Sequence, residues 1–217
     1  MVRISHTWSK FLDTVSDFPS SNQRIEAGLL MLDEHNRRLN YGRSDFDIRH
    51  NLRLAYSYGL PFARGNRWLG GWTLSGITTL LSGRPFTLYS GTDNLDGTNN
   101  NRIRDVPGSL MRGQNGAASL SLAPGVTRAQ LIPAPGTLGA IGRNTESGGR
   151  LVEINVSASK NFNISERWIF QFRAEGFNIA NTANYGPPEG LLPSVNFGRA
   201  LTAFDSRQIQ LALRLSF

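Results

Sequence analysis

The feature that most limits what this chain can fold into is a strict two-residue alternation of apolar and polar side chains, repeated in separate stretches of its 217 residues. In Ile48–Tyr58, the side chains of Ile48, Leu52, Leu54, Tyr56 and Tyr58 alternate with Arg49, Asn51, Arg53 and Ser57. Trp72, Leu74 and Leu80 share one parity, as do Val152, Ile154, Val156 and Ala158. Trp168, Phe170, Phe172 and Ala174 alternate with Ile169, Gln171, Arg173 and Glu175, and Ile209, Leu211, Leu213, Leu215 and Phe217 close the chain. A weaker stretch is Val2, Ile4, His6, Trp8. Period two is the signature of a strand with one dry face. Across these stretches no apolar-parity position is Asp, Glu, Lys or Arg, although 18% of the chain is. The expectation is an all-β, antiparallel, up-and-down sheet of about six strands, over residues 2–11, 46–59, 71–89, 151–162, 167–180 and 207–217.

A dry face can meet either a protein core or lipid, and two features favour lipid. Short connections (Gly59 to Gly71, Phe162 to Arg167) alternate with long ones (13–45, 90–150, 181–206), as in a barrel with tight turns on one rim and large loops on the other. Followed up and down, the chain also gathers Tyr58, Phe62, Trp68, Trp72, Phe162 and Trp168 at the short-turn rim, and Phe46, Phe86, Tyr89, Phe177 and Phe204 at the opposite one. Aromatic rings favour the headgroup level of a bilayer. On this reading Arg49, Arg53, Glu153, Arg173, Glu175 and Arg214 face the lumen and pair with one another or with a plug. The alternative is a soluble all-β ligand-binding module, for glycans for example, which requires the aromatic rings to be buried.

Composition adds exclusions. No apolar run is long enough for a membrane-spanning helix. With no cysteine, disulfides and thiolate metal sites are ruled out. The net charge of +7 comes from scattered arginines rather than a Lys/Arg block, so no nucleic-acid partner is expected. Asp93-Asn94-Leu95-Asp96-Gly97 looks like part of a calcium loop, but Thr92 and Ile103 stand where the first and twelfth ligands belong, and a polar turn is expected instead. His6, His35 and His50 lack metal-binding spacing, and no nucleophile, phosphate-loop or zinc-protease motif is present. The expectation is a protein without cofactor, metal site or catalytic residues.

Several segments carry a resemblance. RHNLRLAYSYGLPF (49–62), GGWTLSGITTLLSGRPFTL (70–88), RWIFQFRAEGFNIANTANYGPP (167–188) and FGRALTAFDSRQIQLALRLSF (197–217) resemble the C-terminal barrel strands of TonB-dependent receptors. The likeness is to the Oar-like group, which carries a carboxypeptidase-regulatory-like domain ahead of its plug. It covers most of 46–217, and TWSKFLD (7–13) fits the preceding strand. FNIANTANY (177–185) departs from the pattern at Ala180 and Tyr185, and GRNTESGGRLVEINVSASKNF (142–162) follows it loosely. The resemblance implies the bacterial outer membrane and nutrient import through a plugged 22-stranded barrel energised by TonB. It also implies that the plug and the signal peptide lie outside this sequence. The partners it implies are membrane lipid, the remaining strands and plug, the TonB system and the barrel-assembly machinery. That machinery recognises a terminal alternating strand ending in an aromatic, matched here by Ile209, Leu211, Leu213, Leu215 and Phe217. Deleting Phe217 from the intact protein is expected to lower its level in outer-membrane fractions on immunoblots; an unchanged level would remove this residue from the assembly signal.

Overall fold

The computed structural model describes residues 1–16, 32–33, 35–62, 66, 68–93, 100–113, 120–165 and 167–217. Six long strands run β1 (Val2–Trp8), β2 (His50–Gly59), β3 (Trp72–Leu81), β4 (Leu151–Asn163), β5 (Ile169–Phe177) and β6 (Gln208–Ser216). They form one antiparallel sheet in chain order, so every connection joins spatial neighbours, as in an up-and-down barrel wall. The wall is open, with β1 and β6 at its two edges.

The register explains the alternation. One row crosses all six strands as Val2, Tyr56, Gly76, Val156, Gly176 and Ile209. The adjacent row carries Ser57, Ser75, Ser157, Glu175 and Gln210. Because side chains alternate with period two, one slipped residue would throw a whole strand's apolar set onto the polar face. Here the apolar parities of all six strands fall on the same face. Gly76 marks a close approach within that face, since a Cβ there would strike the Asn155 carbonyl and the Tyr56 ring. The tyrosine covers the space the glycine leaves.

Among the described residues no second layer covers either face of the sheet. Ile209, Leu211 and Leu213 are 68%, 67% and 66% exposed, and Val2, Ile4 and Trp8 are exposed as well. Removing a side chain of this kind from water contributes about 1.5–3 kcal/mol. A sheet in water would forgo that gain along its whole apolar side; in lipid it obtains it.

The buried core lies elsewhere. Phe86, Leu88, Ile103, Leu120, Leu131, Leu192 and Phe197 form the buried apolar cluster, drawn entirely from the 82–150 and 178–207 connections. The described parts of the long connections fold into a cap at the long-loop rim, and this corrects one expectation. Expected strand 71–89 ends at Leu81, and Pro85–Phe86 pairs instead with Glu146–Ser147 inside the cap. Phe86 is therefore a core residue rather than a rim aromatic. The connections interlock through backbone as well: Tyr89 N–H donates to the Gly190 carbonyl at 2.9 Å, Leu192 N–H to the Tyr89 carbonyl at 2.8 Å, and Leu120 N–H to the Gly198 carbonyl at 2.7 Å. Gly198 has φ +77°, and a Cβ there would strike the Leu120 backbone, so only glycine permits this crossing.

Leu88 is fully buried at the centre of this cluster. Leu88→Ala is expected to destabilise the cap by about 2–5 kcal/mol through lost contacts and a residual cavity. Limited proteolysis would show this as faster cleavage within 82–150, with the strands remaining protected.

Candidate functional site

The wall presents three distinct regions, and the first is the apolar face at the short-turn rim. Trp68 lies 5.7 Å from Phe162 between ring centroids, and Phe162 6.1 Å from Phe170. Trp72 meets Phe172 edge-on at 5.9 Å, while Trp168 stacks on Phe217 at 5.2 Å. Tyr58 and Phe62 are exposed at the same rim. The rings are brought together on the surface, contrary to the buried arrangement a soluble module requires.

Sequence reading missed the residue at the centre of this cluster. Lys160 continues the parity of Val152 to Ala158 and so lies on the apolar face of β4, paired in register with Trp72 on one side and Phe172 on the other. It is only 4% exposed, with its Nζ 4.8 Å from the Phe162 centroid and 5.9 Å from that of Trp72. Nζ also donates to the Gly70 carbonyl in the 60–71 turn. Aromatic faces and a carbonyl together replace the water an ammonium would otherwise need. The available signals were that parity and the aromatic density around the lysine.

The second region is the polar face. Arg53, Glu153, Arg173, Glu175 and Arg214 all lie on it by register. Arg173 Nη2 is 2.7 Å from Glu175 Oε1, and its Nε donates to Ser157 Oγ at 3.3 Å. Glu153 Oε1 accepts from Asn155 Nδ2 at 3.0 Å. Arg49 departs from the expected set: β2 begins at His50, so Arg49 sits on the rim, where its charge acts on Asp47.

The third region is the polar seam that ties the 9–49 connection to the 82–150 connection within the cap. Asp47 is fully buried, and its carboxylate accepts from Phe11 N–H at 2.9 Å and Arg43 Nε at 2.8 Å. Arg43 reaches on to Ser147 Oγ at 2.9 Å. Arg143 donates to the Arg43 carbonyl at 2.9 Å and pairs with Asp13. Asn144, held at φ 55°, donates to the same carbonyl at 2.7 Å while its Oδ1 accepts from Thr87 Oγ1 at 2.9 Å. Arg102 is buried and donates to the Leu39 carbonyl at 2.8 Å and Asn40 Oδ1 at 2.6 Å. Burial holds the pKa of both Arg102 and Arg143 below the ordinary guanidinium value, and burial raises that of Tyr89. Desolvation also works to raise the Asp47 pKa, but the Phe11 N–H, the Arg43 contact and the charges of Arg43 and Arg49 together hold it below the usual value.

The asparagines of FNIANTANY explain themselves at the same rim. Asn178 and Asn181 have positive φ (46° and 51°), and Asn184 exchanges two hydrogen bonds of 2.8 Å with the Val152 backbone. A side-chain amide thus pairs with β4 where no strand continues. The segment 94–97 of the calcium-like motif lies outside the described residues. Among the described residues no three His, Cys, Asp or Glu cluster to hold a metal ion.

An antiparallel wall, apolar on one face and polar on the other, with tight turns on one rim and a folded cap on the other, is the architecture of a transmembrane β-barrel wall of the bacterial outer membrane. Comparison with family models agrees: the chain belongs to the outer membrane beta barrel domain family, whose model matches residues 1–210. Comparison with curated proteins gave no match, and comparison with solved structures gave none either.

The Asp47 carboxylate has a lowered folded-state pKa, so its stabilisation is complete above the unfolded value near 3.8 and is lost as pH falls through the folded one. Cap proteolysis is expected to accelerate on acidification across that window. Asp47→Asn should cost about 1–3 kcal/mol at pH 7, leaving Arg43 and Phe11 imperfectly paired, and should flatten the acid response relative to the parent protein.

Proposed function

We propose that this chain forms the C-terminal part of a TonB-dependent importer barrel, with its polar face lining the lumen and its cap contributing to the outer gate. The observation that carries this reading is the cap. Connections 9–49, 82–150 and 178–207 join through Arg43, Arg102, Arg143 and the Tyr89 backbone into one packed body on one rim. A narrow structural barrel has no use for so large a body over its mouth. A wide importer requires one to bind and screen large solutes. The segments that resemble TonB-dependent receptors are the same ones that form β2, β3, β5, β6 and the asparagine-rich rim.

Two open edges support the same reading. Six strands fall short of the eight in the smallest outer-membrane barrels, and hydrocarbon does not tolerate the unpaired backbone of an open edge. On this proposal β1 and β6 pair with further strands, and a plug neutralises Arg3, Arg53 and Arg214 on the lumenal face. The aromatic belt then sits at the periplasmic headgroups, and β6 with Phe217 engages the assembly machinery by strand addition.

The deciding experiment begins with the intact mass of the native product in outer-membrane fractions, detected with an antibody against residues 90–150. A mass far above 23.9 kDa, with solute uptake abolished by a protonophore and by disruption of the gene, is the expected outcome. A 23.9 kDa product, or uptake indifferent to the protonophore, would overturn the importer reading.

A further inference from the structure

We propose that His6 and His50 form a two-imidazole site for a borderline divalent transition-metal cation on the apolar face at the long-loop rim. The two residues stand 44 apart in the sequence and meet across β1 and β2, His6 opposite Leu52 and His50 opposite Trp8. Nδ1 of His50 lies 3.4 Å from Nε2 of His6, with ring planes 7° apart. Two imidazoles bound to one tetrahedral Zn²⁺ at about 2.0–2.1 Å hold their nitrogens about 3.3–3.4 Å apart. The observed separation therefore already matches the bite of a chelate. A small turn of each ring about its Cβ–Cγ bond aims both lone pairs at one cation.

The surroundings fit such a role. Both rings are exposed in the last rows of the β1–β2 ladder, at the rim where the wall meets headgroups and water rather than hydrocarbon, so a cation can enter with water filling its remaining positions. The backbone is fixed on both sides: His50 N–H donates to Ser82 Oγ at 3.0 Å, and the β1–β2 ladder holds His6 in register. In the metal-free pair one ring N–H donates to the other ring's nitrogen. On binding, that proton moves to the same ring's second nitrogen, which leaves both facing nitrogens free to ligate. Imidazole is a ligand for Zn²⁺, Ni²⁺ and Cu²⁺ rather than for Mg²⁺ or Ca²⁺, and Cu²⁺ binds a given nitrogen site most strongly. His35 is elsewhere, beside Asp33 at 3.7 Å, and belongs to no such pair.

Trp8, directly opposite His50 and one of four tryptophans, supplies the readout. Trp68, Trp72 and Trp168 stand at the other rim, a strand length of roughly 25–30 Å away. Cu²⁺ added to the full chain in detergent micelles is expected to quench fluorescence saturably at one equivalent, by no more than the Trp8 share, with Zn²⁺ competing and Mg²⁺ not. His6→Ala and His50→Ala should each weaken binding at least tenfold, while His35→Ala leaves it unchanged. Trp8→Phe should abolish the quenching yet retain Cu²⁺ binding by calorimetry, which separates loss of the reporter from loss of the site. Quenching that does not saturate, or that survives His6→Ala, would overturn the proposal.

Discussion

Everything in this molecule depends on the backbone ladder that aligns six alternating strands in one register. In hydrocarbon an unsatisfied N–H or C=O costs several kcal/mol, so a wall must pair its strands continuously. The ladder does that, and by doing so it also sorts side chains. Once Tyr56, Gly76, Val156 and Gly176 occupy one row, every residue of matching parity in these strands is committed to the same face. The polar residues are committed to the other by the same geometry, which is how Ser157, Arg173 and Glu175 come within reach of one another. A soluble sheet would need a second layer over the apolar face; here exposed Leu and Ile side chains stand where lipid tails would lie.

The division of labour between wall and cap follows from that constraint. The wall obtains its stability from backbone pairing and lipid contact, and has almost no interior of its own. The cap is the opposite: it stands in water and therefore builds a conventional core around Leu88, Leu131 and Leu192. Many of its buried polar side chains are bonded from one connection to another, while Asn40 Nδ2 and Arg143 Nε are buried without a hydrogen bond. Asn144 and Arg102 each tie two connections together, and Asp47 holds Phe11 and Arg43 within one of them, so the first connection is fixed to the second through hydrogen bonds. Such a seam transmits position accurately, because losing one partner leaves another buried polar group exposed to the full cost of desolvation.

Lys160 shows how far the apolar face can depart from its own rule. An ammonium near the bilayer midplane costs about 2–4 kcal/mol, but the cost declines toward the interface. Lys160 stands three residues before the end of β4, beside the short turn, and Trp72, Phe162 and the Gly70 carbonyl enclose it. Its position at the rim and its aromatic enclosure act together. The belt is thereby anchored to the turn by a charge as well as by ring contacts.

The alternation alone determined that this is an antiparallel sheet with one dry face, and the spacing of turns determined its up-and-down order, because both are local consequences of period two and of loop length. Strand ends, the cap and its core were not legible. Residues 82–89 continue the composition of β3, and only the competing contact of Phe86 and Leu88 with Leu192 and Phe197 draws them out of the ladder. Arg49 has the parity of a wall residue but lies before the first paired residue of β2, a boundary decided by where the cap seam begins. Lys160 and the His6–His50 pair were invisible for the same reason: each owes its environment to strands far away in the sequence. Sequence spacing records which face a residue takes within its own strand. Which residues stand beside it across the sheet is set by register, and register is a property of the assembled wall.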